Sequence, residues 1–413
     1  MTSSLKTDKA GAMSSLAAPA PVRAPHIGVL VLCAAVNPLS LNIFIPSMPG
    51  MAAEFGVPYA TIQLGLSLYL VMTAGITLIA GPLSDLFGRR PLIVGGFLLF
   101  VAGTVMTLMA DSASLFLAGR IVQAASATGM VLSRAIVRDL YGRDMAASMI
   151  GYVTMGMAVA PMVGPAVGGL LDDLYGWRAS FLFLGVLGLM ATLVVMARLP
   201  ETNAGRGQPL ARQFASYAEL LSSGPYWIFA GSGAFAACIF FGFLGGGPAI
   251  ASHYLAMTPT AYGLWFAATA VGYMIGNFIA GRFSRRIGLA RMLLTGAATS
   301  MIGAVLPLIL LGWMDIRLPV ALFGPTILIG IGNGMTIPNA TAAAVSVKPD
   351  SAGAASGLMG SLQVGSGALA SVLCGIMAGN GSGVVAFGAM LAAFGLVAFL
   401  VAYRAWRFAR HPE

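Results

Sequence analysis

The sequence predicts an all-α polytopic membrane protein with twelve transmembrane helices in two pseudo-symmetric bundles of six. Three observations predict it. The first is composition: 58% of the 413 residues are apolar and 8% are charged, against about 25% charged in soluble domains. The 22 basic and 13 acidic side chains are too few to give a chain of this length a water-facing surface. The second is length: the apolar residues gather in stretches of about 20, enough to cross a hydrocarbon core of about 30 Å. The third is that the second half repeats the first at a fixed offset.

Residues 1–25 are rich in Ser, Ala and Pro, carry Lys6, Lys9 and Arg23, and are expected to be a disordered cytoplasmic tail. The run from 27 to 47 is long enough to span and leads into IPSMPG, so it is expected to be a retained helix and not a cleaved leader. Further spans are expected near 59–82, 91–110, 114–138, 145–171 and 179–198, giving an N-terminal bundle over 26–198. The stretch 199–224 is the longest polar internal segment and reads as a cytoplasmic linker. Within it Phe214, Tyr217, Leu220 and Leu221 fall at helical spacing, the pattern of an amphipathic surface helix. Spans near 225–247, 260–282, 290–312, 318–345, 352–378 and 384–404 form the C-terminal bundle over 225–404. Residues 405–413 are expected to be a cytoplasmic tail.

Placing the N-terminus inside assigns nineteen Lys and Arg to one side of the membrane and only Arg178 and Arg317 to the other, with Arg120 inside a span. This is the positive-inside pattern, and it predicts a multi-pass membrane protein with both termini in the cytoplasm. It also accounts for the net charge of +9 without a nucleic-acid partner. The basic C-terminal RAWRFARHPE reads as a membrane-surface anchor. Cys33, Cys238 and Cys374 lie in apolar runs without paired spacing, so neither a disulfide framework nor a metal site is expected.

The most specific segment is GPLSDLFGRRP at 81–91, expected in the loop between the second and third helices. There Gly81 would allow close backbone approach, Asp85 could face a helix N-terminus, and Gly88 could turn the chain. Arg89 and Arg90 could bridge to acids on neighbouring helix ends. GRFSRRIGLA at 281–290 repeats it, with Gly281, Ser284 and Gly288 in the places of Gly81, Ser84 and Gly88. Duplicated halves around a central site are a transporter architecture.

The string at 81–91 resembles the loop signature of the major facilitator superfamily, and the resemblance extends over about 27–404. It implies the major facilitator fold and a conformational latch made of Gly81, Asp85, Gly88, Arg89, Arg90 and Asp139. RIVQAASATGMVLSRAIVRDLYG, from 120 to 142, resembles the family's fourth-helix motif, whose arginine, here Arg120, sits beside the pathway and supports substrate or proton coupling. An intramembrane arginine costs about 2.5–3.5 kcal/mol on insertion scales and is expected to face a cavity; snorkelling to the nearby interface is the alternative. Gly156, Pro161, Gly164, Pro165, Gly168 and Gly169 resemble the antiporter motif that marks exporters. NPLSLNIFIPSMP in helix 1 is similar to the Bcr/CflA-type drug efflux branch, except that Asn42 stands where that branch usually carries an aspartate.

None of the thirteen carboxylates falls near the middle of a span, and an amide cannot titrate. Proton coupling through helix 1 is therefore not expected. The polar set within the spans is Asn37, Asn42, Gln63, Arg120, Gln123, Asn277, Asn333, Asn339 and Gln363, which suits a neutral or anionic ligand better than a cation. No intramembrane nucleophile or acid pair is visible, so an enzyme is not expected, and no cofactor is implied. The expected function is export of small, largely apolar compounds by alternating access in a monomer, with the bilayer as environment and protons as the possible coupling ion. The competing expectation is an uncoupled facilitator or importer of a polar metabolite or siderophore.

Overall fold

The computed structural model describes residues 24–141, 143–203, 217–348, 351–379 and 383–410. Among these, twelve helices are long and apolar enough to cross a bilayer: α1 Ile27–Glu54, α2 Tyr59–Phe87, α3 Arg89–Leu108, α4 Ala113–Leu140, α5 Met149–Tyr175, α6 Arg178–Arg198, α7 Gly224–Tyr254, α8 Pro259–Ile287, α9 Leu289–Trp313, α10 Pro319–Ser346, α11 Gly353–Gly379 and α12 Gly383–Arg410. Residues 405–410, expected as tail, continue the last helix. Its inward Ala402 and Ala405 are fully buried, so packing against the neighbouring helices carries α12 beyond the apolar run.

Burial sorts the helices into layers. The most apolar window is 67% buried in α1, α7 and α10 but only 28% buried in α12, so the first group lies inside and α12 meets lipid. The lipid-facing side chains include Leu98, Leu99 and Val105 of α3, Leu182, Val186 and Leu189 of α6, and Leu396 and Leu400 of α12. Each bundle has its own aromatic core. In the first, Phe116 meets Phe181 edge-on at 5.9 Å; in the second, Phe243 meets Phe323 in the same way at 5.9 Å.

The repeat seen in the sequence is a repeat of backbone. Gly88 ends α2 at φ +96°, ψ 151°, with its N–H donating to the Ser84 carbonyl at 3.0 Å. Gly288 ends α8 at φ +90°, ψ 146°, with its N–H donating to the Ser284 carbonyl at 2.9 Å. Only glycine enters that region without strain. The signature is thus not a loop, as expected, but the last turns of α2 followed by a single non-helical residue. The expectation for Gly81 is also corrected, since nothing lies within 4 Å of a Cβ built there. Close approach is instead required along α3–α4 and its copy α9–α10. A Cβ at Gly103 would sit 2.7 Å from the backbone of Gln123, and one at Gly303 would sit 2.8 Å from that of Ile329.

The two bundles meet chiefly along α2 with α11 and α5 with α8. At the arginine-poor end the joint is tight. A Cβ at Gly169 would collide with the Pro259 carbonyl, and one at Gly263 with the Pro165 carbonyl. The Thr260 N–H, at the start of α8, donates to Asp173 Oδ2 at 2.9 Å. Tyr59 donates to the Gly245 carbonyl at 2.7 Å, and Gln63 donates to Ser371 Oγ at 2.7 Å. Nearer mid-span, Ser361 donates to the Ala74 carbonyl at 2.8 Å. Of the amphipathic linker stripe, Phe214 lies outside the described residues; Leu220 is buried and Leu221 is exposed, while Tyr217 donates to the Leu78 carbonyl at 3.2 Å.

Candidate functional site

Arg120, on α4, is fully buried. Burial in the first bundle disposes of the snorkelling alternative. Its Nη1 donates to Gln123 Oε1 at 2.7 Å and to Ser40 Oγ at 3.3 Å. Nη2 donates to the Ser40 carbonyl at 3.3 Å and Nε to the Gly65 carbonyl at 3.4 Å. The guanidinium lies 4.3 Å from the Phe44 ring centroid and 4.4 Å from that of Tyr69. No carboxylate is among these partners, so the charge is held by neutral oxygens and two π faces, and it keeps its positive field for whatever enters.

The cluster is anchored from three other helices. Gln123, having accepted from Arg120, donates to Thr104 Oγ1 of α3 at 2.8 Å. Asn37 of α1 donates to the Tyr69 hydroxyl at 2.9 Å and to Ser126 Oγ at 3.2 Å. Tyr69 and Ser126 share a hydrogen bond of 2.9 Å. A chain of hydrogen bonds linking α1, α2, α3 and α4 fixes the rotamers around the arginine, as a preorganised site requires. A 3-10 turn at Ala124–Ser126 brings Ser126 into this chain.

The remaining amides do not all converge on it. Asn277 and Asn339 donate back to their own helices, to the Tyr273 and Met335 carbonyls at 2.8 and 2.7 Å. Asn333 Oδ1 accepts from Ser300 at 3.2 Å and ties α9 to α10. The hydrogen bonds of these three stay within the second bundle. Asn42 donates to the Pro38 carbonyl at 2.7 Å, but its Oδ1 is buried without a partner, as are Gln63 Oε1 and Gln363 Nε2. Unpartnered buried polar atoms are costly and mark where a ligand or water would bond. Sequence reasoning missed Ser40, Phe44, Gly65, Tyr69, Thr104 and Ser126. Of these only Tyr69, a phenol deep within a span, gave a signal; single hydroxyls and phenylalanines are ordinary in membrane helices.

At the arginine-rich end Arg89 is the hub. Its Nη1 lies 2.6 Å from Asp85 Oδ1 and its Nε 3.1 Å from Asp139 Oδ2; it also donates to Ser84 Oγ. Glu201 accepts the Arg89 and Arg90 N–H groups at 2.9 and 3.1 Å, which caps the start of α3. Arg90 reaches the Met196 carbonyl at 2.6 Å. Asn203 Nδ2 caps the end of α2 through the Ser84 and Asp85 carbonyls.

Along α5, the glycines present two faces. A Cβ at Gly168 would collide with the Ile43 carbonyl and one at Gly156 with Val31, while one at Gly164 would lie 3.3 Å from Asn42 Cβ. That face seats α1. Gly169, with the Pro165 carbonyl, seats α8 of the other bundle. Pro161 and Pro165 both lie within the helix. Outside the spans, Lys348 holds the exposed Glu219 below the usual carboxylate range through a 2.7 Å ion pair. Asp315 is lowered in the same sense by Tyr254 and then Arg317.

Twelve spanning helices, a duplicated half and a buried polar centre define a two-bundle membrane transporter, not an enzyme. The family model of the major facilitator superfamily matches residues 30–254 and 234–413, and the chain belongs to that superfamily. It is 31% identical over 354 residues to multidrug resistance protein D of Escherichia coli K12, covering 83% of this chain and 87% of that one. It is 33% identical over 317 residues to a chloramphenicol resistance protein of Pseudomonas aeruginosa, covering 76% and 73%. These relatives agree with the Bcr/CflA-type resemblance read from α1. Among solved structures, a bacterial homologue of the human lysosomal transporter Spinster, in an inward-facing and unoccupied conformation, superposes with a TM-score of 0.72. It is 16% identical and the match covers 93% of this chain and 96% of that one, so it shows the fold.

Proposed function

We propose that the chain exports small, largely apolar compounds across a bacterial inner membrane by alternating access, as a multidrug efflux transporter with both termini in the cytoplasm. The observation that carries this reading is Arg120, buried among amides, hydroxyls and two aromatic faces with no carboxylate beside it among the described residues. Four of its five N–H donors have protein acceptors, so one remains for a carbonyl, nitro or anionic oxygen on an otherwise apolar ligand. Asn42 and Gln363 supply further unpartnered atoms. The resistance functions in the names of the relatives support the same reading, as do the two α5 faces, one seating α1 and the other α8. Asp85, Arg89 and Asp139 then act as the latch on the cytoplasmic side, opposite the Asp173 cap on α8.

Energy coupling is the point on which a second reading, an uncoupled facilitator, has a specific observation in its favour. The α1 position expected to titrate is Asn42, which bonds its own helix. Our reading has weak or absent proton coupling through α1. The test is flux of chloramphenicol and of a fluorescent apolar dye in proteoliposomes, with and without a pH gradient, for wild type and Asn42→Asp. Export of either compound supports efflux, and no movement of any apolar compound refutes it. Strong gradient-driven export by the wild type overturns the uncoupled part, whereas a pH dependence that appears only in Asn42→Asp supports it. Cysteine labelling that places position 208 outside the cell would overturn the topology.

A further inference from the structure

Outside the central cluster, a cavity of about 1090 Å³ opens between α7, α11 and α12. Its floor is largely apolar, with Gly231, Ala234, Phe235, Leu362, Gly365 and Val401, and the hydroxyls of Ser361 and Ser366 there donate to the Ala74 and Ala234 carbonyls at 2.8 and 3.3 Å. Along α7 it runs from Gly224 to Phe235, about 16 Å at ~1.5 Å per residue. That is close to half of the ~30 Å hydrocarbon core, so the groove has the depth of one leaflet. At its mouth stand Arg404 and Arg407, three residues apart and therefore on one face of α12. Both are exposed, and neither has a carboxylate partner among the described residues. Trp227, also at the mouth, donates its indole N–H to the Leu221 carbonyl at 2.7 Å, the station of an interfacial aromatic.

We propose that this groove is a binding site for an anionic phospholipid of the leaflet on the arginine-rich face. An acyl chain lies along the glycine-floored groove between α7 and α12, and the phosphodiester sits on Arg404 and Arg407. Gly231 makes the floor: a Cβ there would lie 3.4 Å from Val401, so an alanine would just fit and a larger side chain must project into the groove. Charge complementarity selects the occupant. A zwitterionic lipid brings its own cation to the two arginines, whereas phosphatidylglycerol brings net negative charge. Free phosphate has no use for an apolar floor as deep as a leaflet.

The test is lipid binding to the purified full-length chain, followed by native mass spectrometry with added phosphatidylglycerol or phosphatidylcholine, with inorganic phosphate as competitor. Each basic residue near a membrane surface favours an anionic lipid about fivefold, so Arg404→Gln with Arg407→Gln should reduce the preference for phosphatidylglycerol about thirtyfold. Arg285→Gln with Arg286→Gln removes the same charge away from the groove and should leave most of that preference intact. Gly231→Leu keeps every charge and should weaken phosphatidylglycerol binding by filling the floor; thermal midpoints of all three variants check folding. The proposal is overturned if phosphatidylcholine binds equally well, if inorganic phosphate competes, if both arginine pairs matter equally, which would indicate a diffuse basic belt, or if Gly231→Leu, folded, binds as the wild type does.

Discussion

Replacing Arg120 tests the central cluster most directly, because stability and transport should separate. The two stacked rings at 4.3 and 4.4 Å contribute about 2 kcal/mol each in a desolvated setting, about 4 kcal/mol together. The 2.7 Å charge-assisted bond to Gln123 adds about 1.5–3 kcal/mol. Against these stands about 2.5–3.5 kcal/mol for placing a guanidinium in a span. The difference is about 2–4.5 kcal/mol, so Arg120→Ala should lower the thermal midpoint by several degrees without unfolding the protein. Transport should fall far more than tenfold, because the ligand loses its one cationic donor and each tenfold corresponds to about 1.4 kcal/mol. Arg120→Lys keeps the charge but offers three donors from one point instead of a planar fork. It can hold Gln123 or Ser40 but not both carbonyl and amide partners together, and should retain part of the activity. The assay is flux in proteoliposomes at matched protein content, with differential scanning fluorimetry on the same preparations. Wild-type flux from the alanine variant would refute a role for the arginine in binding, and collapse of the midpoint in both variants would make it a structural residue only.

Gly168→Ala should disrupt the α1–α5 contact, because its Cβ collides with the Ile43 carbonyl, while Gly151→Ala on the same helix meets open space; the expected result is lost transport for the first and wild-type transport for the second in the same vesicles. Asp173→Ala and Asp85→Asn should act oppositely on the conformational balance read by spin-label distances. Removing the Asp173 cap on α8 costs about 0.5–2 kcal/mol and favours opening at that end, whereas Asp85→Asn loosens the cytoplasmic latch and favours closure there; unchanged distances in both would remove the latch assignments. Glu219 and Asp315 are both held below their ordinary range, so their contribution is present above the unfolded carboxylate pKa and is lost only as pH falls through the lowered value. Glu219→Gln and Asp315→Asn should therefore leave any pH dependence of flux between pH 5.5 and 8 unchanged, and a shift of that profile in either variant would contradict the assignment.

The fold was legible because membrane helices announce themselves by length and composition, and because Gly88 and Gly288 mark the same turn in the two halves. Helix ends were less legible. Hydropathy stops at the last apolar residue, whereas α2 continues through Ser84 and Asp85, where Arg89 satisfies the polar groups, and α12 continues through the exposed Arg404 and Arg407. In the cluster, Arg120, Gln123 and Asn37 were visible as polar residues in apolar surroundings. Phe44, Tyr69 and Ser40 were not, because an aromatic or hydroxyl residue in a span is common and only the tertiary approach of α1 and α2 to α4 gives it a role. Asn277, Asn333 and Asn339 looked equivalent to Asn37 in sequence. Their pairing within the second bundle is a matter of rotamer and neighbour, which spacing does not encode.

The two halves have diverged where the chemistry lies and not where the backbone turns. The glycine turns adopt nearly the same φ, +96° at Gly88 and +90° at Gly288, and Gly103 and Gly303 let α4 and α10 approach at the same depth. Thr269, the counterpart of Tyr69 in the repeat, shares a short hydrogen bond with Thr326 of α10, in the place where Tyr69 stacks on Arg120 of α4. One half therefore holds a cation between aromatic rings and the other a pair of hydroxyls that satisfy each other. A symmetric charge pair would raise the desolvation cost twice over and repel itself across the centre. On the efflux reading proposed above, a single cation on one wall and a neutral surface on the other would orient an amphiphilic ligand with its acceptor toward α4 and its apolar body toward α8 and α10. On that same reading the second bundle could move past the ligand without breaking an ion pair, as alternation between two openings would require.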